Sequence, residues 1–427
     1  MAPVAKDDEK MAKGKEEKKP LEGLAEGVKW PDSGKNLSFS TDHQELPAEN
    51  QTVYVGQEFS AIDLQAPTRP STVDYKTQFQ QSKQIIVEYL LDKAPEFRKL
   101  SELRERGWND PAGDQFFQTQ RQRADNADKT QRWRFYNMMK EIGEYMHQVT
   151  GALRIPSSPS DTPRILDMCM APGGFLATAL KINPESQALA FSLPISQKGH
   201  DVLLPKDPRV ILKFLDITML AADMGLVDIP FDHPDGPNFL SRQLGPELFD
   251  LIFCDGHVLR NHDRAAYREH TEATRLTLTQ LALGLEHLRP GGTMIVLLHK
   301  IEALHNVQLL YTFSKFSTVR LFKHPKIHGK RSSFYMIATD IKSHGIDAAK
   351  AIERWKRIWR VATTGTLNMY YKALCEDNYD MNEILHDFGS ELVQLGRNVW
   401  NIQARELKKA PWTRENAVSG KTISTRR

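Results

Sequence analysis

Residues 164–175 read Arg-Ile-Leu-Asp-Met-Cys-Met-Ala-Pro-Gly-Gly-Phe. A short apolar strand ends in an acid, Asp167, and a Pro-Gly-Gly turn leads into a helical pattern from Phe175 to Lys181. Glycine carries no side chain, so such a turn lets backbone come close to a ligand. In open α/β sheets ligands bind outside the carboxyl ends of the strands, where this turn must lie. The spacing is not the Gly-x-Gly-x-x-Gly dinucleotide fingerprint, because only one glycine pair is present and proline precedes it. Two more charges stand in comparable places. Asp255 follows the apolar run Leu251 to Cys254 and precedes Gly256, and Lys300 follows the run Thr293 to His299. A carboxylate and an amine at such an edge can orient a hydroxyl and take its proton once burial or neighbouring charge shifts their proton affinity.

The elements that must hold these groups are short β-rich runs alternating with helical stretches. The runs are 164–168, 188–193, 210–215, 250–255, 293–299, 318–323 and 333–341. Alternation of this kind predicts a mainly parallel sheet with helices on both faces. Only nine residues, His324 to Ser332, join the last two runs. That is too short for a crossover helix, so this pair is expected to be antiparallel. Residues 219–248 are rich in Pro and Gly and read as an insertion near the site. Apolar residues at three-to-four spacing predict helices within 75–107, 127–152 and 345–407. The expected organisation is a disordered tail over 1–50, a helical region over 51–155, a sheet domain over 156–342, a helical extension over 343–410, and a disordered tail over 411–427.

Composition bounds the rest. The 427 residues carry a formal charge of +3, so any nucleic-acid contact must come from a local patch. Cys169, Cys254 and Cys375 are few, odd in number and far apart, which argues for a reducing, intracellular compartment, cytoplasm or nucleus. No run of about eighteen apolar residues predicts a membrane span. The Lys/Glu-rich N-terminus lacks the apolar core of a signal peptide, and Lys13 to Lys19 reads as a solvated tail before an import signal. His257, His262, Asp263 and His270 do not fall into a metal-ligand spacing, and no metal is expected. Trp133 and Phe135 are candidates to stack on a base, but at helical spacing such aromatics more often lie in the core, which is the expectation here.

Three segments in order resemble the FtsJ-like (RrmJ-type) 2′-O-methyltransferase family. The first is Asp167-Met168-Cys169-Met170-Ala171-Pro172-Gly173-Gly174-Phe175, similar to the family's Asp-x-Gly-x-x-Pro-Gly-Gly-Trp loop. The second is Phe249 to Asp255, and the third is Leu288-Arg289-Pro290-Gly291-Gly292-Thr293 through Lys300. The resemblance covers about residues 130–341 and implies a Rossmann-like class I methyltransferase sheet whose last strand is antiparallel. It implies S-adenosylmethionine as cofactor, held by Asp167, Cys169, Ala171, Pro172, Gly173, Gly174 and Phe175. Ser192 and Leu193 fall beside the ribose or adenine by position, and Asp216 falls where the family contacts adenine, although a helix N-cap role serves it nearly as well.

The family's catalytic lysine, aspartate and second lysine map to Lys140, Asp255 and Lys300. Its glutamate maps to Ser333, leaving Glu302 or Glu141 as substitutes. Two further departures are Cys169 in place of a glycine and Ala190-Phe191-Ser192-Leu193 in place of an acid at the end of the second strand. The implied acceptor is an RNA ribose, met by the basic hairpin 323–331 through Lys326, Lys330 and Arg331. The alternatives are a small-molecule O- or N-methyltransferase, and a weakened methyltransferase fold that binds RNA or assists assembly.

Overall fold

The computed structural model describes residues 75–108, 110–125, 128–156, 162–258, 262, 264–376 and 380–413. The expected tails at 1–50 and beyond Thr413, and the Lys13–Lys19 run, lie outside them. The chain forms α1 (Tyr75–Lys93), α2 (Pro95–Trp108), α3 (Pro111–Asp125) and α4 (Lys129–Thr150), then enters a sheet. The sheet elements are β1 (Arg164–Asp167), α5 (Gly174–Ile182), β2 (Gln187–Ser192), β3 (Val210–Phe214), β4 (Phe249–Cys254), α6 (Glu272–Glu286), β5 (Leu288–His299), α7 (Leu304–Ser314), β6 (Thr318–Phe322) and β7 (Ser333–Ile341). Helices α8 (Ile346–Thr364), α9 (Leu367–Cys375) and α10 (Met381–Lys408) follow.

The seven strands lie in the order β3-β2-β1-β4-β5-β7-β6. Strands β3, β2, β1, β4 and β5 are mutually parallel, and β7 runs antiparallel between β5 and β6. This is the class I methyltransferase order expected above. The central strands are buried on both faces, as parallel strands between helix layers must be: Ile165, Leu166, Ile252 and Phe253 have no exposed surface. Strand β5 starts at Leu288, earlier than its apolar run. Phe249 pairs with Leu288 before the register shifts, which accommodates the Pro290-Gly291-Gly292 turn. Gly291 adopts φ +83°, a backbone state that favours glycine.

The flanking helices do not form separate regions. Helix α10 lies along α2, with Trp400 against Phe97 at 5.4 Å between ring centroids. Gly389 lets α10 meet α1, since a Cβ there would fall 2.4 Å from the Tyr89 hydroxyl. Both flanks contribute to one apolar core with the sheet. Helix α4 belongs with the sheet and lies against α5. Two sequence expectations need amendment. Helix α3 was not expected, because its segment is polar with no sustained apolar stripe. Order also continues past residue 410: Trp412 is buried against Phe116, with ring centroids 4.4 Å apart. Residues 219–248 contain only a short helical turn, Gly236–Asn238, as expected of a loop-like insertion.

Candidate active site

The turn after β1 is fastened to both neighbouring strands. The Met168 amide donates to the Phe253 carbonyl of β4 at 3.0 Å, and the Met170 amide to the Phe191 carbonyl of β2 at 2.8 Å. Asp167 is buried at the strand end, and its carboxylate accepts from the Cys169 amide at 3.2 Å. Cys169 fits in place of a glycine because Gly256 opposite it has no side chain. A Cβ at Gly256 would lie 2.3 Å from the Cys169 sulfur. Burial, then the Asp255 charge, holds the Cys169 thiol protonated. Ala171 and Pro172 lead the turn, and the Pro172 carbonyl accepts from Leu203 at 3.0 Å, which folds the segment after β2 across it.

The glycine pair is used against protein as much as it is offered to a ligand. Gly173 has φ +102°, and a Cβ would meet the Met170 sulfur at 2.8 Å and Leu204 at 2.9 Å. A Cβ at Gly174 would lie 2.5 Å from the Tyr136 carbonyl and 2.9 Å from the Lys140 amide, so this glycine admits α4 against α5. Phe175, read from sequence as a cofactor neighbour, instead goes into the core. It stacks on Phe253 at 5.8 Å and meets Tyr335 edge-on at 5.4 Å. Ser192 and Leu193 end β2 beside the turn. Ser192 is buried, and its hydroxyl has no hydrogen-bond partner among the described residues. A buried hydroxyl left without a hydrogen bond is costly, and a polar ligand at this edge would relieve it. That orphan, beside a buried carboxylate and a fixed turn, fits the hydroxyl-rich nucleoside of S-adenosylmethionine.

Asp216 takes the capping role. Its carboxylate accepts from the Thr218 amide at 2.9 Å and the Thr218 hydroxyl at 2.8 Å, and it lies 3.5 Å from the Arg268 guanidinium. Arg268 also pairs with Glu272 at 3.4 Å and Asp235 at 3.3 Å, and Arg275 pairs with Glu272 at 3.0 Å. Asp216, His262 and Glu272 come together as three possible metal ligands. The Arg268 guanidinium among them already supplies the positive charge.

Asp255 and Lys300 end the neighbouring parallel strands β4 and β5. Burial pushes the Asp255 carboxyl up to about 7. Asp167 is pushed well above the usual carboxylate range by burial and then by the Asp255 charge, so the two titrate as a pair. Lys300 adopts φ +57°, unusual for a residue with a side chain. Asn306 fixes that bend from α7: its side-chain amide donates to the carbonyls of His299 at 2.6 Å and Lys300 at 2.9 Å. The Lys300 ammonium makes no ion pair among the described residues. Lys140 sits on α4, its backbone beside Gly174 and its ammonium 5.7 Å from the Tyr136 ring centre.

The structure places no acid at the family's glutamate position. Ser333 is buried opposite His299 in the β5–β7 pair. Glu302 is committed to Arg104 of α2 at 2.6 Å, and Glu141 lies on the exposed face of α4. A group of neutral histidines surrounds Lys300 instead. His257 and His299 meet edge to face at 4.7 Å. Burial and then the Arg331 charge hold His257 down at about 4, and burial holds His305 down at about 3. Burial also drives His299 and His328 well below the usual histidine range. His257, His299, His305, Asn306, Gly256 and Gln280 line a cavity between the sheet, α6 and α7. Sequence reading missed Asn306 and the grouping of histidines, because the members come from four separate segments.

The hairpin 323–331 is less available than its composition suggests. Lys323 is buried, and its ammonium donates to the carbonyls of His328 at 3.0 Å, Arg331 at 2.7 Å and Ser333 at 2.7 Å. The His324 ring accepts from the Lys326 and Ile327 amides at 3.2 and 2.8 Å. The Lys330 ammonium lies 5.8 Å from the Trp412 ring centre. Lys326 remains exposed.

Residues 148–340 match the family model described as FtsJ-like methyltransferase. A curated relative, ribosomal RNA small subunit methyltransferase B of Klebsiella pneumoniae (strain 342), is 27% identical over 164 residues, covering 36% of this chain and 34% of the relative. The chain thus matches about a third of that relative's length. Among solved structures, a ribosomal RNA methyltransferase from Plasmodium falciparum is 16% identical, with a TM-score of 0.30, covering 47% of this chain and 94% of that one. An O-methyltransferase family protein from Burkholderia thailandensis is 13% identical, with a TM-score of 0.29, covering 53% and 63%. Scores of this size carry no argument about substrate. The family match falls on the strand order, the cofactor turn and the paired strand ends described above, and the domain over residues 148–340 is a divergent FtsJ-like methyltransferase, S-adenosylmethionine-dependent by class.

Proposed function

We propose that this protein methylates the 2′-hydroxyl of an RNA ribose. The observation that carries the reading is the placement of Asp255 and Lys300 at the carboxyl ends of adjacent parallel strands, next to the turn after β1. S-adenosylmethionine, when bound, supplies a methyl group activated by a sulfonium. Ser192 and the buried end of β1 would hold its nucleoside, and the backbone of residues 171–174 its remaining portion. The remaining chemistry falls to the chain itself.

A ribose hydroxyl is a weak nucleophile and must lose its proton as the new bond forms. A general base works best when its proton affinity is near the working pH. Asp255, held at about 7 by burial, meets that condition. Lys300 carries a compact positive charge that steadies the oxygen as negative charge develops on it. The bend clamped by Asn306 fixes where that charge sits. Lys140 lies on the opposite wall, and its role is to orient the acceptor. The neutral histidines add no competing positive charge. With no acid at position 333, the set is smaller than the family's by one carboxylate.

The test is incubation with cofactor carrying a labelled methyl group, offered total cellular RNA in one arm and a metabolite extract in another. Label is expected in RNA and, after digestion, in 2′-O-methyl nucleosides. Label in a base-methylated nucleoside or confined to the extract overturns the reading.

A further inference from the structure

We propose that the first two turns of α4 form a nucleobase platform for the acceptor strand, with Trp133 as its stacking face; this rests on the RNA reading above. Helix α4 runs parallel to α5. Gly174 lies level with Tyr136 and Lys140, Gly143 with Phe175 and Thr178, and Glu144 with Lys181, which it pairs at 3.0 Å. Helix α5 begins at the carboxyl edge of the sheet, directly after the cofactor turn. The seven or so residues of α4 before Tyr136 therefore extend past that edge by about 10 Å, at 1.5 Å per residue. They stand as a wall beside the acceptor position.

That wall is not built like a core helix. Trp133 is 41% exposed and Phe135 is 37% exposed, against the expectation that both pack inside. Trp133, Tyr136 and Lys140 fall on one helix face by their spacing of three and four. The Trp133 ring meets buried Tyr136 edge-on at 5.5 Å, and Lys140 lies over the same Tyr136 ring at 5.7 Å. An exposed indole is thus braced on a ring that also touches the candidate catalytic lysine.

Charge points to the same occupant. Asp128 caps α4, its carboxylate accepting from the Gln131 amide at 2.7 Å, while Lys129, Arg132 and Arg134 occupy the first six helical residues. Cations in a first helical turn oppose the helix dipole, and three of them outnumber the one capping carboxylate, so this end of the helix favours a further anion. Arg132 pairs with Asp201 after β2, which braces the projecting turns. Lys129 and Arg134 form no ion pair among the described residues. An exposed aromatic face between cations fits an unpaired nucleic-acid strand, whose bases stack and whose phosphates are anionic.

The test uses the full chain and a fluorescently labelled unpaired RNA oligonucleotide, with binding followed by anisotropy over a salt series. Trp133→Ala is expected to weaken binding ~tenfold or more, because base–aromatic stacking is lost. The salt slope should be unchanged, since no cation is removed. Trp133→Phe should stay within ~threefold of wild type, and S-adenosylmethionine affinity and melting temperature should not move in either variant. If wild type binds RNA and transfers methyl to it while Trp133→Ala binds equally well, the platform falls and the RNA reading stands. Equal losses in both variants, or a protein partner displacing nothing but neutral contacts at unchanged RNA affinity, also overturn it. If wild type binds no RNA at low salt, both readings fall together.

Discussion

The two halves of the active edge are made differently. The half we propose for the cofactor, at the ends of β1 and β2, is backbone: one continuous turn, tied by amides to Phe191 and Phe253, with glycines that admit neighbouring protein. The half we propose for the acceptor, at the ends of β4 and β5 and the start of β7, consists of single side chains from distant segments: Asp255, Lys300, the Asn306 clamp and the histidines. Backbone chemistry depends on consecutive residues, so the first half is tolerant of Cys169 so long as Gly256 leaves room for it. Side-chain chemistry depends on individual positions, so the second half is where the family's glutamate has given way to Ser333. The difference implies that single substitutions in the acceptor half remove function, while those in the cofactor half mostly change affinity.

The sharpest break of that comparison is in turnover. Lys300→Ala and Asp255→Ala are each expected to lower turnover by a factor on the order of 10² or more, typical for a positioned acid–base group. S-adenosylmethionine affinity by calorimetry should change little. A variant with near-wild-type turnover on RNA would move the chemistry away from these strand ends.

The next largest effect is on stability and concerns Lys323. Its ammonium satisfies three carbonyls inside the hairpin. Lys323→Met keeps the volume and leaves those carbonyls buried without a donor, at a cost of about 2–3 kcal/mol. Denaturant titration checks it. A loss under about 0.5 kcal/mol would show the hairpin held by other contacts.

Lys323 also marks where the sequence stops being legible. All the strands were found from their apolar runs; the central ones are buried on both faces and so write themselves as continuous hydrophobic stretches, while the edge strands β3 and β6 are apolar although partly exposed. The antiparallel last pair followed from a connection too short to cross over. Helix α3 left no such trace, being polar throughout. The cofactor turn was legible because its residues are consecutive. The hairpin's charge was legible, but not its direction: Lys323 points inward, Lys330 lies over Trp412, and only a three-dimensional neighbour decides that. Trp133 misled in the opposite sense. Its spacing matches the core face of α4, yet it precedes the level at which α5 begins, and it stays 41% exposed among the described residues.

A smaller, oppositely signed pair of effects sharpens the comparison in the cofactor half. The buried Ser192 hydroxyl has no hydrogen-bond partner among the described residues. Ser192→Ala removes an unsatisfied group, so the free protein should melt at the same temperature or higher. S-adenosylmethionine affinity should fall by about fivefold if the hydroxyl bonds the ligand, one net hydrogen bond being about 1 kcal/mol. Melting scans with and without cofactor separate the two. A lower melting temperature in the free variant would contradict the first part.

Acid should act on two groups at the ends of β4 and β5 with opposite sign. Unfolded His257 takes a proton near 6.5, and folded His257 only near 4. Between those values the unfolded state binds more protons, so the contribution of His257 is complete above pH 6.5 and is lost as pH falls toward 4. Asp255 is the reverse: the folded carboxyl takes its proton near 7 and the unfolded one near 3.8, so acidification across that window favours the folded state. Between pH 7 and 5, His257→Gln should lose less melting temperature than wild type, and Asp255→Asn should lose more. Parallel curves for all three proteins would remove the electrostatic distinction between Asp255 and His257.

The smallest expected effect is the salt response of RNA binding at the hairpin. Counting charges along 323–331 suggests several phosphate contacts. The structure leaves Lys326 as the exposed lysine, because Lys323 is buried and Lys330 faces Trp412. One phosphate contact to a single strand contributes a slope of about 0.7 in log K against log salt. Lys326→Ala should therefore flatten the slope by about 0.7 at most, with no change in melting temperature. Adding Lys330→Ala should flatten it little further, while disturbing the packing of Trp412. The projecting turns of α4 provide the internal control: Arg134→Ala should flatten the slope by a similar amount. A drop of about 1.4 from the hairpin pair would mean that Lys330 leaves Trp412 when RNA binds, and would make the hairpin a principal phosphate surface.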